Sequence, residues 1–304
     1  MKLTEIVDPT VLSDLLPKEA GKFITNRKQI LAWIKKFKID VAGIKIEEDG
    51  IINAARVIQP AFETKNLTHF PVQWGNIIGA FDFGGNQGSL RTLIGGPKTV
   101  GRYDVSSNQI YSLEGCPEKV NGTFNIDNNR LSSLMHSPKH VVSDFICSNN
   151  RLTSLEHGPT LVEGGYYCVN NKLTSLKGLP SKINGSFSCM NNLLTESCIH
   201  DFPTEVEGWF TITGNKFTSL KGIDKYLKKI NGSIDIGTNP ITSHILGLMR
   251  IEGLTSIDTE GNGNVSDLYI AAKIINEHLG QGKAGIIDAQ TKLIAAGLDD
   301  FAQF

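Results

Sequence analysis

The chain has 304 residues, of which 40% are hydrophobic and 20% are charged, and its 31 acidic residues nearly balance its 30 lysines and arginines. This length exceeds what one hydrophobic core usually supports, about 250–300 residues, so we expect either two domains or a repeat architecture. The net charge of −1 gives no general attraction for nucleic acid or anionic lipid, and no apolar run approaches the ~20 residues that cross a bilayer, which argues against both kinds of partner.

The N-terminus and the cysteines indicate the compartment. The first residues are acidic where a secretory signal needs a basic start and an apolar core. The five cysteines form an odd number and lack the close paired spacing of a metal knuckle or a redox motif. We therefore expect a reducing, cytosolic compartment and no secretion through a signal peptide.

Residues 1–66 are predicted to form an N-terminal cap made of helices and a hairpin. Helical periodicity occurs at Val11–Glu19 and at Arg27–Phe37. Strand-like segments at Gly43–Ile46 and Ile51–Ile58 flank an acidic turn that ends in glycine, which is a hairpin signal. A solenoid needs such a cap because its end faces are otherwise open.

A repeat occupies residues 67–240 and determines the predicted fold. Its three most regular units are displaced by 21 positions and share Leu, Leu, Pro, Val or Ile, an aromatic residue, Cys and Asn. The first of them has Leu131, Leu134, Pro138, Val141, Phe145, Cys147 and Asn150. Looser copies begin at Leu67, Leu90, Ile110, Leu194 and Phe217, and a ninth strand follows near Ile257.

The spacing inside a unit predicts one strand closed by an asparagine. Phe145 and Cys147 are two residues apart, so both face the interior, and Ile146 faces outward. Asn150 ends the strand, where a stacked amide satisfies backbone groups that the turn leaves unpaired. The period and register match the leucine-rich-repeat pattern. We therefore predict an α+β leucine-rich-repeat solenoid of about eight units of 20–24 residues plus a ninth strand.

Residues 241–304 are predicted to hold the last repeat strand and a C-terminal helical cap. Amphipathic helices are expected at Val265–His278 and Ala284–Ala296. The chain thus divides into a cap at 1–66, repeats at 67–240 and a second cap at 241–304.

The outward strand face contains the candidate binding residues. Solvated strand faces are normally polar, yet five apolar side chains occupy outward positions on neighbouring predicted strands: Ile146, Tyr167, Val169, Met190 and Trp209. Aromatic residues and methionine with a polar rim are typical of protein-binding patches, and basic residues for a nucleic-acid track are scarce. We predict a partner-binding surface here. The alternative is that these residues pack under a cap or at a subunit contact.

Two metal interpretations and one nucleophile interpretation compete with simpler ones. The column Cys147, Cys168 and Cys189 could share an ion, but isoleucine holds the same position in other units, which favours an apolar core position. The segment 258–269 imitates a calcium loop, but Tyr269 replaces the expected bidentate glutamate, and the ninth strand explains the same residues. Cys198 beside His200 resembles a thiol and base pair without an orienting acid. We expect no metal, no cofactor and no enzymatic activity.

The units at Leu152–Pro159 and Leu173–Pro180, each followed by a strand of the form Gly-x-aromatic-x-Cys-x-x-Asn, resemble the leucine-rich-repeat proteins encoded by tailed bacteriophages. The segments Asn66–Gly75 and Asp288–Ala302 are similar to the first unit and the C-terminal cap of that family. The family has no general assigned function. The resemblance implies a phage or prophage origin, either as a virion component or as an early protein that binds a host target.

A second family, the bacterial effectors whose repeats precede a ubiquitin-ligase domain, shares the repeat rhythm. Such ligases need a catalytic cysteine after the repeats, and no cysteine follows Cys198. The sequence therefore predicts a non-enzymatic binding protein with a viral or host protein partner, located in the host cytoplasm or the virion. The alternative is a structural capsid or tail component, and the oligomeric state is left open.

Overall fold

The chain is organised as two compact units of stacked short strands. The computed structural model describes residues 20–59, 67–84, 88–259 and 266–304. The first unit comprises Met1–Arg151 with His157–Leu161, and the second comprises Leu152–Glu156 with Val162–Phe304. Together the units contain about nine turns of β-solenoid, with few helices. Two predicted features lie outside the described residues. They are the helix Val11–Glu19 and Asn86, the asparagine expected to close the first repeat, which begins at Leu67.

The elements up to Ile146 are, in chain order, α1 (Arg27–Lys36), β1 (Asp40–Ala42), β2 (Lys45–Ile46), β3 (Ile52–Ala54), β4 (Arg56–Ile58), β5 (Trp74–Asp82), β6 (Thr99–Asp104), β7 (Lys119–Val120), β8 (Phe124–Asn125), β9 (His140–Val141) and β10 (Phe145–Ile146). Then follow β11 (Leu161–Val162), β12 (Tyr166–Tyr167), β13 (Lys182–Ile183), β14 (Phe187–Ser188), a 3-10 helix (Glu196–Asp201), β15 (Glu205–Val206) and β16 (Phe210–Thr211). The remainder is α2 (Ile223–Tyr226), β17 (Lys229–Ile230), β18 (Ser233–Asp235), a second 3-10 helix (Leu246–Arg250), β19 (Ser256–Asp258), α3 (Asp267–Asn276) and α4 (Gly282–Ala295).

The N-terminal part of the first unit combines α1 with two antiparallel strand pairs. Strand β2 pairs with β3, as the hairpin signal predicts, while β1 pairs with β4. The prediction of one strand over Ile51–Ile58 is wrong, because Ala55 interrupts it. The Ala55 amide donates to the carbonyl of Ala42, and its own carbonyl accepts from Gly79. Its backbone groups thus serve two different neighbours, and the strand splits into β3 and β4.

The rest of the first unit is a parallel ladder, β5–β6–β8–β10, with an aromatic interior. The rings of Phe81 and Tyr103 stack at 5.5 Å between centroids, Tyr103 and Phe124 at 5.4 Å, and Phe124 and Phe145 at 5.8 Å. All four side chains are fully buried. The aromatic position of the repeat therefore builds a continuous core column, which no single turn could bury alone.

The second unit repeats this arrangement in the ladder β12–β14–β16–β18–β19. Phe187 lies 5.2 Å from Phe210 and 6.2 Å from Tyr166, measured between ring centroids. Ile234 continues the interior position on β18, and Ile257 does so on β19.

The predicted asparagine ladder is confirmed in both units. In the first unit, the Asn129 side chain accepts from the Ile110 amide at 3.0 Å and donates to the Ile126 carbonyl at 3.1 Å. In the second, Asn192 accepts from the Leu173 amide at 3.0 Å and donates to the Cys189 carbonyl at 3.0 Å. Each amide thus joins its own strand end to the preceding turn and satisfies a buried donor.

The return segments also contain strands, which the sequence did not predict. Strand β7 pairs with β6 and β9 in the first unit, and β13, β15 and β17 form a separate parallel sheet in the second. The repeat that ends at Asn215 is two residues longer than the regular repeats, and its return segment contains the first 3-10 helix. The repeat that ends at Asn239 is three residues longer, and its return segment contains α2. A repeat solenoid is confirmed, whereas its assignment to the leucine-rich-repeat class stays a prediction.

Two helices follow the last described strand of the second unit. Helix α3 begins after Ser266, whose hydroxyl accepts from the Tyr269 amide at 3.2 Å. Near its end the Asn276 side chain accepts from the Ile257 amide at 2.8 Å and donates to the Ile257 carbonyl at 2.9 Å. The bounds of α3 and α4 agree to within two residues with those predicted for the two C-terminal helices, Val265–His278 and Ala284–Ala296. Within the described ranges, none of the helices has both the length and the apolarity needed to traverse a lipid bilayer.

Candidate functional site

The outward face of the second unit is set by the parallel register of five strands. Successive pairings place outward side chains of neighbouring strands side by side. One such row contains Tyr167, Ser188, Thr211, Asp235 and Asp258. Because alternate residues of a strand point to opposite sides, this row lies opposite the buried aromatic column.

Trp209 is the most exposed of the predicted binding residues. Its side chain precedes buried Phe210 on β16, so alternation turns the indole outward, and it is 43% exposed. The Tyr167 ring lies 6.0 Å from the Trp209 ring, with 48° between the planes. Both rings belong to the second unit, and aromatic pairs at such distances are favourable.

The Tyr167 ring extends across the strand face toward Gly165. A β-carbon at Gly165 would lie 2.4 Å from the tyrosine hydroxyl oxygen, which is closer than atoms can approach. The glycine that precedes this strand therefore leaves room for the ring in the position it takes beside Trp209.

Val169 and Met190, also in the second unit, are half-buried on the same face. Next to them Ser188 is only 1% exposed, and its hydroxyl has no hydrogen-bond partner within the described part of the chain. Ile146, the fifth predicted residue, is half-buried on β10 and belongs to the first unit.

A cavity of about 250 Å³ opens on this face of the second unit. Its lining combines an indole, a thioether, hydroxyls and two carboxylates: Met190, Trp209, Phe210, Thr211, Ser233, Asp235 and Asp258. It has no basic lining residue. The sequence-based prediction included the apolar members and missed the carboxylates as a pair. The tripeptide Ser-Ile-Asp, present at Ser233–Asp235 and again at Ser256–Asp258, is the signal that would have found them.

The two carboxylates stand directly side by side. Strands β18 and β19 pair in parallel with Asp235 opposite Asp258. The Asp235 carboxylate accepts from the Gly237 amide at 2.9 Å, and Asp258 accepts from the Ser256 hydroxyl at 3.5 Å. Among the described residues, no lysine or arginine forms an ion pair with either carboxylate. Like charges at directly opposed positions destabilise a sheet.

The first unit has an equivalent pair that is neutralised. Asp82 lies opposite Asp104 in the pairing of β5 with β6. The Arg102 guanidinium bridges them, at 3.1 Å from Asp82 and 2.6 Å from Asp104. Asn125 adds a further hydrogen bond to Asp104 at 3.0 Å. In that unit the protein thus supplies its own cation.

The cysteine column faces the interior. Cys147, Cys168 and Cys189 are completely buried, and burial raises the pKa of the Cys147 and Cys189 thiols far above the usual range. Metal coordination needs a thiolate, which such burial disfavours. Within the described ranges there is no group of three or more His, Cys, Asp or Glu side chains placed to hold a metal ion. Half of the calcium-like segment 258–269, namely residues 260–265, lies outside the described residues.

The structure separates the environments of Cys198 and His200. Burial raises the pKa of the Cys198 thiol to about 12, and its sulfur donates to the Thr195 carbonyl at 3.0 Å. His200 is exposed, sits 3.4 Å from the Asp201 carboxylate and lines a cavity of about 400 Å³ that Cys198 does not line. A neutral, buried thiol is a poor nucleophile at ordinary pH.

No protein-family model matches the chain, and no curated protein matches it at a significant level.

Proposed function

We propose that this chain is a non-enzymatic, leucine-rich-repeat-type binding protein that holds a protein partner on the outward strand face of its second unit. The single observation that carries the proposal is the exposed indole of Trp209, paired with Tyr167 on a strand face that also carries serine, threonine and aspartate side chains. Keeping large apolar side chains in water costs free energy, about 25 cal/mol per Å² of apolar surface, and a partner that covers them removes this cost.

The composition of the face supports a protein partner. Tryptophan, tyrosine and methionine are enriched where proteins bind one another, and tryptophan and tyrosine dominate the energetics of such contacts. The cavity on this face has no basic lining residue of the kind that phosphate backbones require, which disfavours nucleic acid. A non-enzymatic role is supported by the neutral, buried thiol of Cys198, the nucleophile that the sequence analysis considered together with His200.

The sequence resemblance adds a proposal about origin. If the chain is phage-encoded, the partner is either another virion protein or a host protein, and the chain resides in the virion or the host cytoplasm. Peptide mass spectrometry of purified virions distinguishes the two, because a structural component is present in fixed stoichiometry and a host-directed factor is absent.

The test of the binding face compares two variants with the natural chain. Trp209→Ala combined with Tyr167→Ala removes both rings, while Tyr226→Ala removes an aromatic side chain of similar exposure, 41%, elsewhere in the second unit. Each tagged chain is used to recover partners from lysate of the native host, and each recovered protein is quantified by mass spectrometry.

We expect the double variant to recover at least about tenfold less of the specific partner, since hot-spot aromatics contribute about 2 kcal/mol or more each. Recovery by Tyr226→Ala should equal that of the natural chain. Equal recovery by the double variant, with an unchanged circular dichroism spectrum, would refute this face as the contact.

A further inference from the structure

The adjacent carboxylates Asp235 and Asp258 of the second unit accept hydrogen bonds from the Gly237 amide and the Ser256 hydroxyl, but neither forms an ion pair with a described cation. They lie opposite each other on β18 and β19, on the same face as exposed Trp209, and within the described residues no cation neutralises them. Two adjacent like charges repel, and this repulsion is relieved when a positive group binds between them.

The first unit shows which group suits such a pair. There Arg102 lies two residues before Asp104 on β6 and bridges Asp104 and Asp82. Arg102 lies on the second strand of its pair, opposite Ala80, so its counterpart is Ser256, two residues before Asp258, and Ser233 on β18 takes the place of Ala80. The second unit therefore repeats the carboxylate pair and has a small hydroxyl where the first unit has its guanidinium. The cavity of about 250 Å³ lies beside this position, since Ser233, which pairs with Ser256, lines it together with both carboxylates.

The neighbouring indole makes the same cavity suitable for a planar cation. Because Phe210 pairs with Ile234, Trp209 stands opposite Ser233, one strand away from it. A guanidinium placed over Ser233 would meet the carboxylates on one side and the indole on another. The second unit already contains this combination elsewhere: the Arg250 guanidinium lies 3.0 Å from the Asp224 carboxylate and 3.6 Å from the centroid of the Phe304 ring.

We infer that this cavity is the receptor for an arginine side chain of the protein partner. The inference rests on the proposed function and specifies the partner chemistry at the same face. Arginine fits better than lysine because its planar fork can donate to two carboxylates while its flat surface stacks on an aromatic ring. The partner segment is therefore basic at the point where it crosses β18 and β19.

The probe for the test is acetyl-L-arginine amide, with the corresponding lysine and citrulline amides as comparisons. Citrulline keeps the shape of arginine and lacks its charge. Binding is followed by two-dimensional NMR through the indole N–H signal of Trp209, and the buried indoles of Trp33 and Trp74 serve as internal references. The experiment uses the full chain at low ionic strength.

We expect arginine amide to shift the Trp209 signal saturably at millimolar concentration, with weaker binding as salt is added. Lysine amide should bind more weakly, and citrulline amide should leave the signal unchanged. The double variant D235N/D258N should weaken arginine binding by about tenfold or more, since it removes both charged acceptors of the guanidinium hydrogen bonds. Asparagine preserves the acceptor for the Gly237 amide, so this variant is expected to fold.

The matched control is D299N/D300N, which makes the same change in net charge at exposed residues of the second unit outside the cavity. Its arginine affinity should equal that of the natural chain. Equal binding of citrulline, equal loss in both double variants, or no saturable shift with arginine would each overturn the inference.

Partner capture separates this inference from the proposed function. If D235N/D258N captures the partner normally and arginine amide fails to bind, the arginine receptor is refuted and the binding face stands. If removing Trp209 and Tyr167 leaves capture unchanged, the binding face is refuted whatever the amide titration shows.

Discussion

The asparagine ladder predicts a large stability loss from a single substitution, Asn192→Ala. The Asn192 side chain is 4% exposed and makes four hydrogen bonds to the backbone. Its oxygen accepts from the Leu173 amide, and its nitrogen donates to the carbonyls of Cys168, Cys189 and Met190 at 3.0–3.1 Å. Alanine replaces none of these contacts, so a buried amide and parts of three carbonyls lose their partners.

The expected loss is about 2–4 kcal/mol. An unsatisfied buried donor costs about 1–3 kcal/mol, and the Leu173 amide becomes such a donor, while the carbonyls add the remainder. Asn192→Asp tests the donor half separately, since it keeps an acceptor for Leu173, offers no N–H and buries a charge at neutral pH. We therefore expect the aspartate variant to be no more stable than the alanine variant at pH 7.

The assay is urea unfolding followed by circular dichroism, together with hydrogen exchange of the Leu173 amide. The control is Asn184→Ala, an exposed asparagine of the same unit, for which a change within about 0.5 kcal/mol is expected. If Asn192→Ala changed the unfolding midpoint no more than Asn184→Ala, and Leu173 kept its protection, the ladder would not be a source of stability. The reasoning about the stacked amides would then be refuted.

Two further predictions concern the end of the second unit and the thiols. Ser266→Ala removes the helix cap that accepts from the Tyr269 amide, which should lower the free energy of unfolding by about 0.5–2 kcal/mol. Hydrogen exchange in the first turn of α3 should become faster, and unchanged exchange there would contradict the prediction. Burial raises the pKa of the Cys116 and Cys198 thiols to about 12 from an ordinary value of 9.0. As the pH rises, these thiols therefore ionise in the unfolded chain before they ionise in the folded one. The free energy of unfolding should fall between about pH 9 and pH 12 for this reason. The urea unfolding midpoint of Cys198→Ala should fall less steeply over that pH range than the midpoint of the natural chain. An identical slope for the two chains would contradict this prediction.

The repeat could be predicted from the sequence because its signals are local and periodic. The spacing of Leu131, Phe145 and Asn150 recurs at a fixed interval. The leucine and the phenylalanine supply buried apolar side chains, and the asparagine accepts a hydrogen bond from the Leu131 backbone amide. The return strands could not be predicted, because a strand of two residues such as Lys119–Val120 has no period of its own. The break at Ala55 depends on backbone partners distant in sequence, which no local pattern reports.

The candidate site was predictable only in its apolar half. Strand alternation placed Trp209 and Met190 outward, and the structure places both at the cavity. The adjacency of Asp235 and Asp258 follows from the register of β18 and β19, which the sequence does not fix. The bridging by Arg102 depends on a side-chain conformation, so the contrast between the two carboxylate pairs emerges only in three dimensions.

The amide of Asn276 has a consequence for self-association. By engaging both the N–H and the C=O of Ile257, it mimics a peptide group and occupies the place where an added strand would begin pairing. Exposed strand edges are templates for runaway polymerisation, and proteins that leave them unguarded grow into fibrils. Here one side chain occupies the N–H and C=O of Ile257 at the margin of β19, so that residue has neither group free to begin pairing with an added strand.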